Sequence, residues 1–304
     1  MLLPPVHSKA DYSSIYADNE AWLPAIRCIC ARHGLSVAEL TRQVLGTHVV
    51  FRSDQMIVKL ICPLYVDEPN GEKIVLDHIK GLPVPEIVHH GELEDWHYLI
   101  MTVVSGSPAA GIWPSLSLAE KTEIITQIGR IMKYLHGHPP IEQLSTDWNQ
   151  FLADRIEGAA DHHAVVGEWH TWLTRRIDGF TELEFRPVLL NSDITDDHIL
   201  ISKLHGKWKV TGIIDFGDAM MGHPHYEFIA PLLCFAAGEP QLSRALVESY
   251  GESFSASLSD RLLTYCLLHK YAKLSDVRAR LAVDRPQELY QAIWGYDPNE
   301  NGKP

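Results

Sequence analysis

The chain has 304 residues, more than one compact core usually holds, with 46% hydrophobic and 21% charged residues, so an ordinary globular protein of two subdomains is expected. That balance excludes a disordered chain, a collagen-like repeat and a disulfide scaffold. The formal charge of −13, from 39 acidic against 26 basic side chains, repels phosphate backbones and anionic lipid; no nucleic-acid or membrane partner is expected, and a cationic partner stays open.

Cys28, Cys30, Cys62, Cys234 and Cys266 contain no CxxC pair, the pattern of reduced thiols in a cytoplasmic protein. The opening Met1-Leu2-Leu3-Pro4-Pro5 lacks a basic n-region and a continuous apolar core, so no signal peptide is expected. The longest apolar stretch, 228–237, contains Pro231 and is about half a bilayer span.

In chain order, Trp22, Leu23, Ile26, Ile29 and Cys30 repeat at helical spacing and predict a helix over 19–33 that Gly34 ends. A second short helix is expected over 37–44. The pattern then changes: Val49-Val50-Phe51 and the run 56–60 flank Arg52-Ser53-Asp54-Gln55, which predicts a hairpin. A helix over 72–79 follows, stopped by Pro83 and Pro85. Ile87-Val88 and the run 96–101 are extended. Residues 1–104 therefore form a strand-rich unit with one internal helix.

Residues 105–304 differ. Ser117 and Glu120 fit a capping box. The helix after them places Ile124, Ile125, Ile128, Ile131, Met132 and Leu135 on one face before Gly137. Helical sequence continues to about Gly179. Two strands, 198–202 and 208–214, joined through Gly206, interrupt it, and helices resume near Tyr226.

Two acidic residues flank that hairpin. Asp193 lies in Asn191-Ser192-Asp193-Ile194-Thr195-Asp196-Asp197-His198, and Asp215 in Ile213-Ile214-Asp215-Phe216-Gly217. This brings Asp193, His198 and Asp215 to one edge of a sheet. Phosphoryl transfer needs such a set, a carboxylate for the attacking hydroxyl and ligands for the metal on the phosphates. Asp215 also interrupts an apolar run, where an unpaired carboxylate is costly.

In the first unit, Lys59 ends the strand Ile57-Val58-Lys59. Glu72, on the following helix, is placed to pair with it. Gly46-Thr47 open a small loop whose amides suit phosphates, with one glycine where protein kinases have three. Taken singly, Lys59 and Glu72 are ordinary surface residues and Asp193, Asp196 and Asp197 an exposed turn; their combination and order carry the inference. The 17 histidines show no zinc-ligand spacing. Trp113, Trp148, Trp169 and Trp172 are expected in the core or between lobes, and Met220-Met221 in packing.

The order Lys59, Glu72, Asp193, His198, Asp215-Phe216-Gly217 resembles the kinase-like small-molecule phosphotransferases. Within these the chain is most similar to the aminoglycoside phosphotransferases, on the branch of the hygromycin B enzymes. The resemblance runs on through Leu82-Pro83-Val84-Pro85, Tyr98-Leu99-Ile100-Met101 and Ile293-Trp294-Gly295. It implies an α+β, bilobal protein-kinase-like fold, with a small β-rich N-terminal lobe (1–104) and a larger, mainly helical C-terminal lobe (105–304). The implied reaction is ATP-dependent transfer to a hydroxyl of hygromycin B or a related aminocyclitol, with GTP left open as donor, in a cytoplasmic monomer.

By the same resemblance, Asp193 accepts the hydroxyl proton. Lys59 holds the α- and β-phosphates, Glu72 orients it, and Gly46 and Thr47 cover the phosphates. Met101, Thr102 and Val103 form the hinge for adenine, and Asp215 and His198 bind Mg2+. A polyamine substrate needs acidic groups, for which Asp196, Asp197, Asp218 and Glu227 are placed. Two residues depart from the family pattern: Asn191 stands where a His is usual, and His198 where an Asn is usual, a softer donor than magnesium favours. Two other readings remain open: a kinase for choline, homoserine, a sugar or a macrolide, and a pseudokinase that binds nucleotide without transfer.

Overall fold

The computed structural model describes residues 1–38, 40–43, 46–65, 68–144 and 146–295. They fall into two compact units, Met1–Ser105 joined by the late peptide Ile214–Asp218, and Gly106–Ile213 continued from Ala219.

The first unit is built on a five-stranded antiparallel sheet in the order β1–β2–β3–β5–β4. Its strands are β1 (Thr41–Gln43), β2 (Val49–Arg52), β3 (Met56–Ile61), β4 (Ile87–Leu93) and β5 (Trp96–Thr102). Side chains alternate across a strand. Val58 and Leu60 of β3 and Trp96, Tyr98 and Ile100 of β5 join one core with Trp22, Ile26 and Ile29. Those last three come from α2 (Asn19–Arg32), which follows α1 (Lys9–Ile15). The alternate residue of β3, Lys59, emerges on the opposite face, where α3 (Glu68–His78) meets it.

The helix expected over 37–44 is absent among the described residues. Residues 35–38 are irregular and Thr41–Gln43 is a strand paired with β2. Val37, Leu40 and Val44 imitate helical spacing, but the backbone of Thr41–Gln43 takes its hydrogen bonds from Val50, Phe51 and Arg52. Positions 39 and 44 lie outside the described residues.

In the second unit Ser117 and Glu120 form the expected capping box at the start of α4 (Leu118–His136). Ile124, Ile125, Ile128, Met132 and Leu135 are fully buried, while Ile131 is half-buried. The helices α5 (Trp148–Glu157), α6 (Ala159–His163) and α7 (Gly167–Asp178) follow. A three-stranded sheet pairs β6 (Ser107–Pro108), β8 (Ile199–Leu204) and β9 (Lys207–Ile213). A two-stranded one pairs β7 (Val188–Leu190) with β10 (Met220–Gly222), so Met220 and Met221 are ladder residues. The chain closes with a single turn α8 (Ile229–Pro231), then α9 (Pro240–Tyr250), α10 (Ala256–Leu268), α11 (Leu274–Leu281) and α12 (Leu289–Trp294). Trp113, Trp148 and Trp169 are buried.

The packing of α4 on α9 depends on Gly129. A Cβ there would stand 2.6 Å from the Leu246 carbonyl oxygen and clash with the Ser249 hydroxyl. Gly129→Ala improves helix propensity by about 1 kcal/mol, yet the overlap with backbone is expected to cost about 1–3 kcal/mol. Urea unfolding of the variant should therefore show a lower midpoint; a raised midpoint would refute the close approach.

Candidate active site

Lys59 supplies a buried cation. Its ammonium lies 2.8 Å from Glu72 Oε2 and 3.0 Å from Asp215 Oδ1. Burial alone would lower its pKa; the carboxylates of Asp215 and Glu72 outweigh burial and hold the ammonium above its usual range. The second oxygen of Glu72 accepts the N–H of Phe216 at 3.3 Å, and Phe216 is fully buried. One carboxylate therefore ties α3 to both β3 and the 214–218 peptide.

Asp215 adopts φ +62°, a left-handed conformation that non-glycine residues seldom take. Its Oδ1 also accepts the N–H of Gly217 at 3.3 Å, a local bond that Asp makes readily in tight turns. Its side chain is 35% exposed, so it is both anchored and accessible.

The loop residues expected over the phosphates, Gly46 and Thr47, are followed by His48 and then β2, whose Val50 pairs with Lys59. At the hinge, Met101 and Thr102 are the last residues of β5. The Thr102 N–H is spent on the Glu86 carbonyl at 2.9 Å, so Val103 is the first residue of the three beyond the ladder.

In the second unit, the strand β7 delivers Asn191, Ser192 and Asp193. Ser192 has φ +69°, another left-handed residue. The strained turn is held by Glu227, whose Oε2 accepts the Asn191 N–H at 2.7 Å and Oε1 the Ser192 N–H at 2.9 Å. Asn191 Oδ1 in turn accepts the Asp193 N–H at 3.0 Å. The residue that replaces the family's usual His is thus a brace for the turn.

His198 Nδ1 lies 2.9 Å from the Asp193 carbonyl and 3.3 Å from its Oδ2. A carbonyl only accepts, so Nδ1 carries the proton. That nitrogen is committed to Asp193, and a metal bond would have to use the other.

The acidic residues expected around a cationic substrate separate. Glu227 does not face solvent: its side chain is fully buried, and His136 Nε2 stands 3.6 Å behind it. Its carboxylate is consumed by the loop, which corrects the expectation that it contacts substrate. Asp196 is half-buried, and burial raises its pKa, with Asp197 adding to the rise and Arg280 and the Cys234 thiol opposing it. Asp197 is exposed and Asp218 half-buried.

Residues 42–262 match the phosphotransferase enzyme family, more than half of the chain, and the chain belongs to that family. An aminoglycoside 3'-phosphotransferase of Streptomyces fradiae is 24% identical over 207 residues, covering 64% of this chain and 75% of that protein. A lysine-specific demethylase of Arabidopsis thaliana, JMJ21, is 21% identical over 264 residues; 65% of this chain is covered but only 28% of that protein. A solved aminoglycoside phosphotransferase in complex with GDP and kanamycin superposes with a TM-score of 0.69 at 19% identity, over 92% of this chain and 99% of that one. The fold is accordingly the kinase-like one, with a β-sheet N-terminal region and a helical C-terminal region.

Glu227→Gln leaves one of the two loop N–H groups facing an amide instead of a carboxylate oxygen. A buried, unmatched donor costs about 1–3 kcal/mol, to be read as a loss of that size in chemical unfolding.

His223 accepts the His225 N–H on Nδ1 at 3.0 Å and so caps the turn Pro224–Phe228 that presents Glu227. Burial first, then His225, Arg261 and His136, push the His223 pKa from 6.5 down to about 3. The unfolded chain protonates this imidazole below about 6.5, whereas the folded chain resists until about 3. This contribution is complete above pH ~6.5 and is lost as the pH falls towards 3. His223→Asn keeps a capping acceptor without a titrating group, and its stability between pH 7 and 4 should fall less steeply than the parent's.

Proposed function

We propose that the enzyme transfers the γ-phosphoryl group of ATP to a hydroxyl of an aminoglycoside, with hygromycin B or a related aminocyclitol as substrate. The observation that carries this is the buried Lys59 ammonium held between Glu72 and Asp215, a preformed cation of the kind that phosphoryl transfer uses to fix phosphates. Family membership, the name of the Streptomyces fradiae relative and the kanamycin complex of the solved relative support the substrate class. The GDP in that complex keeps GTP open as a second donor.

In this mechanism Asp193 receives the proton of the substrate hydroxyl as its oxygen bonds to the γ-phosphorus. The bond from that phosphorus to the bridging oxygen breaks, and ADP leaves. Lys59 holds the α- and β-phosphates, and Gly46 and Thr47 lie over them. Met101, Thr102 and Val103 edge the adenine site, Val103 offering the hydrogen bond. Asp215, a hard oxygen donor whose side chain is 35% exposed, fits Mg2+, which would neutralise phosphate charge. His198, a soft donor already bonded to Asp193, is assigned to orient that base instead of to hold metal. Asp197, exposed, and Asp196 and Asp218, half-buried, are the acids proposed for the substrate's ammonium groups.

Asp193→Asn should lower kcat by about a hundred- to ten-thousandfold, with an unchanged melting temperature. A screen of the purified protein with Mg2+ and ATP against hygromycin B, kanamycin, streptomycin, choline and homoserine tests the substrate class. Labelled hygromycin B or another aminocyclitol is the expected result. Labelled choline alone, or nucleotide binding with no product, would replace this reading by a metabolic kinase or a pseudokinase.

A further inference from the structure

The family match starts at residue 42, so α1, α2 and their aromatic side chains are features of this chain that the match leaves unexplained. Two of those side chains end on the loop before β2. The Tyr12 hydroxyl, from α1, donates to the Thr47 carbonyl at 2.8 Å. The Tyr16 hydroxyl, at the C-terminal cap of α1, stands 2.7 Å from the Gly46 carbonyl and 3.0 Å from that of His48, sharing one proton between them. One short helix and its cap thus hold the three consecutive carbonyls of Gly46, Thr47 and His48.

The anchor is itself rigid. Tyr12 is buried and makes edge contacts with Tyr16, Trp22 and Tyr65 at centroid distances of 5.5, 6.0 and 6.3 Å. Burial pushes its phenol pKa far up, so it remains a donor. The Arg42 guanidinium covers the Tyr16 ring at 4.7 Å and donates to the Val50 carbonyl at 3.2 Å. His48 is buried with its ring edge-on to Tyr65 at 5.6 Å.

Gly46 sits at φ +96°, with nothing within 4 Å of where a Cβ would stand; glycine is required there by the backbone, not by space. The strand before the loop, β1, is only three residues long and lies at the sheet edge. Fixing such a segment on ligand binding costs conformational entropy, and a loop already fixed avoids that cost.

We propose that Tyr12 and Tyr16 are positioning residues for nucleotide binding. By holding the carbonyls of Gly46–His48 they set this loop in advance over the phosphates and so raise nucleotide affinity without entering the transfer step. The proposal rests on the reading of Lys59 and this loop as the nucleotide site.

The test uses the full chain with Tyr12→Phe, Tyr16→Phe, the double variant, and Lys59→Met as a reference. Nucleotide Kd is measured by calorimetry with ATP and Mg2+, alongside hydrogen exchange of the Thr47 and His48 amides. Loss of both hydroxyls should weaken ATP binding roughly five- to tenfold, the effect of one or two neutral hydrogen bonds. The two amides should exchange faster, and kcat at saturating ATP and the KM for the acceptor should stay within about twofold, since the hydroxyls act on loop order and not on the transition state. An unchanged Kd while Lys59→Met loses nucleotide would overturn the tether alone, even if the tyrosine variants melted earlier. Native ATP affinity in Lys59→Met would remove the nucleotide site itself, and this proposal with it.

Discussion

A buried ammonium is the constraint around which the first unit is arranged. Removing a cation from water costs several kcal/mol unless carboxylates meet it in good geometry, and Lys59 is met by two. Glu72 must arrive from α3, and Asp215 from a peptide 156 residues further along the chain. Strand alternation turns Lys59 away from the aromatic core on the other face of the sheet, so charge and apolar packing occupy opposite sides of β3. The left-handed backbone at Asp215 is the local strain that this arrangement holds in place.

The second unit uses carboxylates in the same structural way. Glu227 holds the two amides that precede Asp193, and His136, itself 2.9 Å from the Tyr250 hydroxyl through Nδ1, stands behind it. Glu182 similarly receives the Trp148 indole, Arg261 and the Tyr265 hydroxyl. Part of the acidic excess is therefore internal framework and unavailable to a cationic ligand. The side chains left to attract one are fewer than the charge of −13 implies.

Much of this was legible in the sequence. The hairpin of β2 and β3, the capping box of α4, the Lys59–Glu72 pair and the flanking of a hairpin by Asp193 and Asp215 all follow local patterns. Four features did not. β1 mimics a helix because its hydrophobic spacing is ambiguous, and only pairing with β2 decides it. β7 and β10 have three residues each, too few to show alternation. Glu227 looked like a substrate-facing acid, although it is set between Tyr226 and the apolar Phe228-Ile229, a context that signals burial. The tyrosine contacts to Gly46–His48 leave no sequence signal, because they reach backbone carbonyls that every residue possesses.

The late peptide 214–218 has a consequence for the order of events on the ribosome. More than a hundred residues separate Ser105 from Ile214, and at about 5–20 residues per second their synthesis takes roughly 5–20 s. Throughout that interval the nascent first unit lacks the second carboxylate for Lys59 and the Phe216 peptide for α3. The sheet and its aromatic core draw only on residues that precede Ser105 and can assemble before the charged face, which must wait for a closure across 156 residues. Translation therefore separates the two faces of one sheet in time, with the apolar side formed before the ionic side can be completed.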